Sequence, residues 1–257
     1  MGVSPAVRNY WPDNKCAKAF WSQQEVRPYK TLLGDTIEWC APTAGERWLD
    51  LGCGGGPLSE ALWQKSAGGI AEVVGLDCAA INEDAYAKLR QTLTPPPGDR
   101  VRFECHNFSD GLAHIADDSF SHAVSGLSIT YAESYSEAEE RWTTQAYDTI
   151  LAEVRRVIRP GGRFVFSVNV PEPSWFKVGV QSLGGLFGTT RTLEFLKRSL
   201  RMMKYGGWLK REARTGRFHY LPAEHVAAKL AAAGFEKIEH RLSYAKQAYV
   251  FRAHKPA

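Results

Sequence analysis

Apolar residues in this chain recur with two different periods. Short apolar runs at 47–51 (RWLDL), 71–76 (AEVVGL), 101–105 (VRFEC), 122–128 (HAVSGLS) and 163–170 (RFVFSVNV) read as buried strands. Between them, apolar residues fall three and four positions apart, the spacing of one helix face. Leu58, Ala61 and Leu62 mark a first such helix, with Pro57 suited to its opening turn, where a missing N–H costs nothing. Residues 81–93 predict a second, stopped by Thr94-Pro95-Pro96-Pro97-Gly98-Asp99. Ser136 with Glu139 three positions on predicts a capping box that opens a long helix. Its stripe is Trp142, Ala146, Tyr147, Ile150, Leu151, Val154, Val157 and Ile158. Pro160-Gly161-Gly162 then turns the chain into the 163–170 run.

Residues 223–233 predict another helix, capped by Gly234, and 237–244 and 248–254 predict two closing strands. Residues 1–45 read as helical with a break at Pro28, and are dense in aromatics, among them Tyr10, Trp11, Phe20, Trp21, Tyr29 and Trp39. Strands alternating with amphipathic helices across short linkers predict a parallel α/β sheet covered on both faces, a doubly wound fold. The division expected is a helical cap (1–45), a core (46–170), an inserted lid (171–222) and a return to the core (223–257).

Composition narrows the class. With 44% hydrophobic and 23% charged residues, the 257-residue chain is neither disordered nor of low complexity. No run of about 18 apolar residues suggests a membrane span, and the first residues lack a signal-peptide core, so a cytoplasmic location is expected. The five cysteines form no CxxC and have no histidine at zinc-finger spacing, which predicts reduced, mostly buried thiols and no bound metal. Residues 171–222 hold ten Lys/Arg against three acids, while the rest of the chain is mildly acidic. Such a segment suits an anionic partner or a solvated helix face.

The informative segment is Asp50-Leu51-Gly52-Cys53-Gly54-Gly55-Gly56, at the end of one strand and the start of a helix. Glycines let the backbone turn tightly and approach a ligand closely. Asp77 ends the next strand, 25 residues beyond Gly52, where a carboxylate can accept hydrogen bonds from ribose hydroxyls. A dinucleotide fingerprint fails in both registers, because positions 57 and 59 are Pro and Ser. No Gly-Lys-Ser/Thr ending exists for a phosphate loop. A compact nucleoside carrying a cationic amino acid fits this loop better.

Together, RWLDLGCGGG, VVGLD and ILAEVRRVIRPGGRFVFS resemble the class I S-adenosylmethionine-dependent methyltransferases, most of all the small-molecule group of quinone and sterol C-methyltransferases. The resemblance covers residues 45–170 and, more loosely, 223–257. It implies a Rossmann-like sheet of seven strands with an antiparallel last pair, and S-adenosylmethionine as cofactor. By the same resemblance Asp50, Gly52 and Gly54 line the methionine end, Asp77 binds the ribose, and Cys78 lies beside the adenine. Asn107 stands where the family often has Asp, and its oxygen can accept from the adenine amine. Phe108 covers the adenine face, and Ser125, Gly126 and Leu127 lie under the methionine moiety.

A sulfonium methyl is electrophilic by itself, so the protein's tasks are alignment, exclusion of water and, for some acceptors, removal of a proton. Candidate substrate residues are Trp21, Tyr29, Tyr131 and Tyr220, with Glu133 nearby, and His219 is the candidate catalytic base. Within the lid, Leu193, Leu196, Leu200 and Met203 share helical spacing while Lys197, Arg198, Arg201 and Lys204 occupy other positions. That pattern suits peripheral contact with an anionic membrane, closure over an apolar substrate, or packing on the core. No nucleic-acid reader motif is present. The expected reaction is methyl transfer to a small, apolar or lipid-like acceptor. The alternatives are an amine N-methyltransferase acting on a small metabolite or lipid head group, and a cofactor-binding partner subunit without turnover.

Overall fold

The computed structural model describes residues 10–13, 26–174, 178 and 205–257. Trp21 and most of the lid expected at 171–222 lie outside them.

Strands β1 (Arg47–Leu51), β2 (Glu72–Asp77), β3 (Val101–Cys105), β4 (His122–Gly126) and β7 (Arg163–Asn169) are the predicted apolar runs. Together with β8 (Glu236–Ser243) and β9 (Ala248–His254) they form one seven-stranded sheet in the order β3-β2-β1-β4-β7-β9-β8. Strands β3, β2, β1, β4 and β7 are parallel, and β9 runs antiparallel to both β7 and β8. Successive strands step outward from β1 on one side and from β4 on the other. The carboxyl ends of β1 and β4 therefore flank the point where strand order reverses, the place where such sheets bind ligands.

Helices α1 (Arg27–Cys40), α2 (Pro57–Lys65) and α3 (Asn82–Thr92) cover one face. Leu32, Ile37, Leu62, Trp63 and Tyr86 pack there on Val73, Val124 and Val165. Helices α4 (Gln145–Val157) and α5 (Ala223–Ala232) cover the other, where Ile150, Leu151, Val154, Val226 and Leu230 meet Leu49, Leu76, Phe164 and Phe166. Burying that many large side chains, at about 1.5–3 kcal/mol each, is the main force holding the layers together.

Pro28 lies in the first turn of α1, where its missing N–H costs nothing. One expectation needs correction. Ser136 does not open the long helix. Its Oγ does accept from the Glu139 N–H at 3.2 Å, but the chain forms a hairpin of β5 (Ser134–Ser136) and β6 (Arg141–Thr143) before α4 begins. Tyr135 and Trp142 meet edge to face across it with centroids 5.2 Å apart. That cross-strand aromatic pair outweighs the local cap, and Trp142 leaves the helical stripe that resumes at Ala146.

Candidate active site

An open cleft of about 1030 Å³ lies above the carboxyl ends of β1, β2 and β4. Its floor is the glycine loop. The Gly52 and Cys53 N–H groups both donate to the Leu76 carbonyl, at 2.8 and 3.1 Å, which locks the loop to β2. Gly52 has φ +65°, and a Cβ there would sit 2.2 Å from the Ser128 Cβ, so only glycine fits. The Gly54 N–H donates to Asp77 Oδ2 at 3.0 Å, and the Ala79 N–H to Oδ1 at 2.9 Å. Burial nevertheless holds the Asp77 carboxyl above its ordinary range. Asp77 lines the cleft beside these donors.

Of the predicted cofactor residues, Gly52, Gly54, Asp77, Cys78, Asn107 and Phe108 all line this cleft. Asn107 Oδ1 also accepts from the Ser109 N–H at 3.2 Å, which fixes its side chain. Asp50 and Ser125 do not reach the cleft. Ser125 is fully buried and its Oγ donates to the Leu51 carbonyl at 2.8 Å, tying β4 to β1; Gly126 and Leu127 form the wall instead. Asp50 lies behind the loop, fully buried, accepting from Ser59 Oγ at 2.8 Å. Ser59 Oγ meets Tyr86 Oη at 2.7 Å, and Gly75 makes room for that ring, since a Cβ there would stand 1.9 Å from the hydroxyl. Asp50 Oδ1 has no partner. Burial, with the Asp77 charge adding to it, pushes the Asp50 carboxyl up to about 7.

The far end of the cleft is aromatic. Trp11, Tyr29 and Tyr131 line it, with Leu127, Leu209 and Asn169. Trp11 stacks obliquely on Tyr131 at 4.6 Å and touches Phe218 at 5.7 Å. Its indole N–H donates to Glu133 Oε1 at 2.9 Å. Glu133 Oε2 takes Arg217, which is 2% exposed, at 2.8 Å, and the guanidinium lies over the Trp142 ring at 4.7 Å. Burial outweighs that pairing and leaves the Glu133 carboxyl above its usual range.

Tyr220 stands behind the wall, its hydroxyl 3.1 Å from that of Tyr131. The structure does not bring His219 to the cleft. Its ring is buried beside Tyr147, Nε2 pairs with the Ala132 carbonyl at 3.0 Å, and burial lowers its pKa. The carbonyl contact and the buried position explain this histidine without a reaction to serve. Sequence reasoning missed Trp11, Asn169 and Leu209. Asn169 carried a readable signal, a polar residue closing an apolar strand at the ligand-binding end of the sheet.

Residues 49–166 match the profile of a methyltransferase domain. The chain carries a methyltransferase domain. Solved structures share the fold across nearly the whole chain. A Haloferax volcanii protein in complex with the Trm112 methyltransferase activator is 16% identical, with TM-score 0.64, covering 98% of this chain and 100% of that one. The N-methyltransferase NodS of Bradyrhizobium japonicum is 12% identical, with TM-score 0.57 and 92% of each chain covered. An O-methyltransferase family protein from Burkholderia thailandensis is 14% identical, with TM-score 0.59, covering 95% of this chain and 61% of that one. A search of curated proteins found no match.

The protein is thus an enzyme with a methyltransferase domain, and its cofactor is S-adenosylmethionine. The cleft fits that group: a cradle only glycine can form, a carboxylate held by loop N–H groups, and a flat aromatic ring, Phe108, at the β3 side. Among the described residues no helix is long and apolar enough to cross a membrane.

Proposed function

We propose that this methyltransferase transfers the methyl group to a small acceptor with an apolar body, seated at the far end of the cleft. The observation that supports this most is the wall of Trp11, Tyr29 and Tyr131 with Leu127 and Leu209. In this reading the glycine loop faces the methionine part, Asp77 takes the ribose hydroxyls, and Cys78, Asn107 and Phe108 flank the adenine. The cofactor supplies an electrophilic methyl group. The chain's residues align the acceptor with it and keep water out. Trp11, fixed through Glu133 to Arg217, is the residue that narrows the acceptor end. A peripheral contact of 171–222 with an anionic membrane stays within the proposal, resting on that segment's basic residues other than the buried Arg217.

The test supplies purified protein and methyl-labelled S-adenosylmethionine to an extract of the source cells, made strongly alkaline before extraction with organic solvent. Label in the organic phase supports a small acceptor with an apolar body. Label left in water or on precipitated macromolecules overturns it. No transfer at all would favour a cofactor-binding partner subunit. In parallel, Asp77→Ala is expected to weaken S-adenosylhomocysteine binding in calorimetry by about 1–3 kcal/mol, through lost hydrogen bonds. Unchanged affinity would overturn the placement of the ribose.

A further inference from the structure

The aromatic end of the cleft, which the proposed function gives to the acceptor, borders a group of neutral polar side chains. Asn169 closes β7, is 1% exposed and lines the cleft. Its Nδ2 donates to Tyr131 Oη at 3.2 Å, and Tyr131 Oη meets Tyr220 Oη at 3.1 Å. Its Oδ1 has no partner, and neither has the hydroxyl of the fully buried Tyr244. Two orphaned buried polar atoms in one neighbourhood are uncommon in folded chains.

The backbone adds an independent sign. Tyr244, Ala245 and Lys246 have φ of 52°, 57° and 62°, three successive non-glycine residues in the left-handed region. L-residues enter that region rarely, and then singly. Gln247 holds the turn, its N–H reaching the Ser243 and Tyr244 carbonyls and its Nε2 the Ala245 carbonyl at 3.0 Å. The result is that the Tyr244 phenol is driven inward, into the same packed cluster as Tyr29. Outliers of this kind gather at functional sites.

We infer that Asn169, held by Tyr131 beside Tyr220, receives the nucleophilic end of the acceptor, and that this end is a neutral amine. The inference rests on the methyl-transfer reading above. A carbonyl oxygen without a partner calls for a donor, and an amine N–H given to Oδ1 leaves the nitrogen lone pair free to point at the methyl group. A carboxamide accepts hydrogen bonds but is no base. Burial holds Tyr29, Tyr220 and Tyr244 protonated. A phenol or carbon acid, which must lose a proton to react, gains nothing from such a site, whereas an amine needs no base. In the step, the nitrogen lone pair forms the N–CH3 bond while the S–CH3 bond breaks and its electron pair stays on sulfur. The sulfonium becomes a thioether and the nitrogen becomes an ammonium, which aromatic faces stabilise and which gives its extra proton to water after release.

The experiment extends the labelling assay. The organic phase from the alkaline extraction is shaken with dilute acid, which takes amines back into water and leaves neutral products behind. Asn169→Leu and Tyr131→Phe are run beside the wild type, with S-adenosylhomocysteine affinity measured by calorimetry. The expected result is label in the acid wash, transfer reduced more than tenfold by Asn169→Leu, and S-adenosylhomocysteine affinity within twofold of wild type. Label that stays in the organic phase overturns the amine while leaving the methyl-transfer reading intact. Label in the acid wash with transfer unchanged in Asn169→Leu overturns the role of Asn169. Should that variant fail to fold, Tyr131→Phe, which removes only the hydroxyl that orients the carboxamide, decides in the same way. No label in any fraction removes the methyl-transfer reading and this inference together.

Discussion

Asp50 offers the sharpest quantitative test of the site's electrostatics. Its carboxyl sits fully buried behind the glycine loop, with one oxygen on Ser59 and the other unpartnered. Burial first, and the Asp77 charge second, hold it at about 7 in the folded chain against an ordinary 3.8. Between those values the folded state keeps a proton that the unfolded state has released. Stability from this group is therefore complete below the unfolded value and is lost as pH rises through the folded one. From about pH 5 to about pH 8 the loss is roughly 2–3 kcal/mol, at about 1.4 kcal/mol for each pH unit crossed. Asp50→Asn removes the titration and keeps the shape. Urea denaturation of both proteins without cofactor, across that range, reads the difference. Wild type should lose stability relative to Asp50→Asn as pH rises, levelling off above neutrality. Parallel curves, or a gap that closes with rising pH, would refute the reasoning.

Two further predictions concern the wall of the cleft. Arg217→Met leaves the Glu133 carboxylate buried without its cation, and breaking such a pair should cost about 3–5 kcal/mol, read as a lower urea midpoint with an unchanged slope. A midpoint unmoved by the substitution would mean that the ring and ion-pair contacts of this arginine carry no net stability. His219→Gln, by contrast, should leave kcat/KM for labelled methyl transfer within twofold, because the ring faces Ala132 and Tyr147 and not the cleft. A loss of a hundredfold would restore the histidine as a base.

Much of the fold was legible in the order of residues. The five parallel strands, the glycine loop and the carboxylates at two strand ends are local features, each set by a run of apolar residues or a backbone need within a few positions. Gly52 could be named from sequence because its φ of +65° is a need of the turn itself, whereas its clash with Ser128 is not local. Where local signals competed, the reading failed. Ser136 and Glu139 form one contact of the cap they predict, yet the Tyr135–Trp142 pair across a hairpin wins, and no short window reveals that pairing.

The site divides along the same line. Asp77 and Phe108 follow strand ends, so position along the chain nearly fixes position in space. Asp50 occupies an equally strong position, but Ser59 from α2 and Tyr86 from α3 close over it, and only packing decides which carboxylate faces the ligand. The aromatic end of the cleft is made by residues far apart in sequence. Trp11, Tyr29, Tyr131 and Asn169 come from four separate segments, and their meeting depends on how the N-terminal residues, α1, the loop after β4 and the end of β7 pack together. Sequence alone therefore determined the sheet and the cofactor cradle, because these arise from short-range pattern. Tertiary structure decided which side chains line the far end of the cleft, because that choice comes from contacts no local pattern encodes.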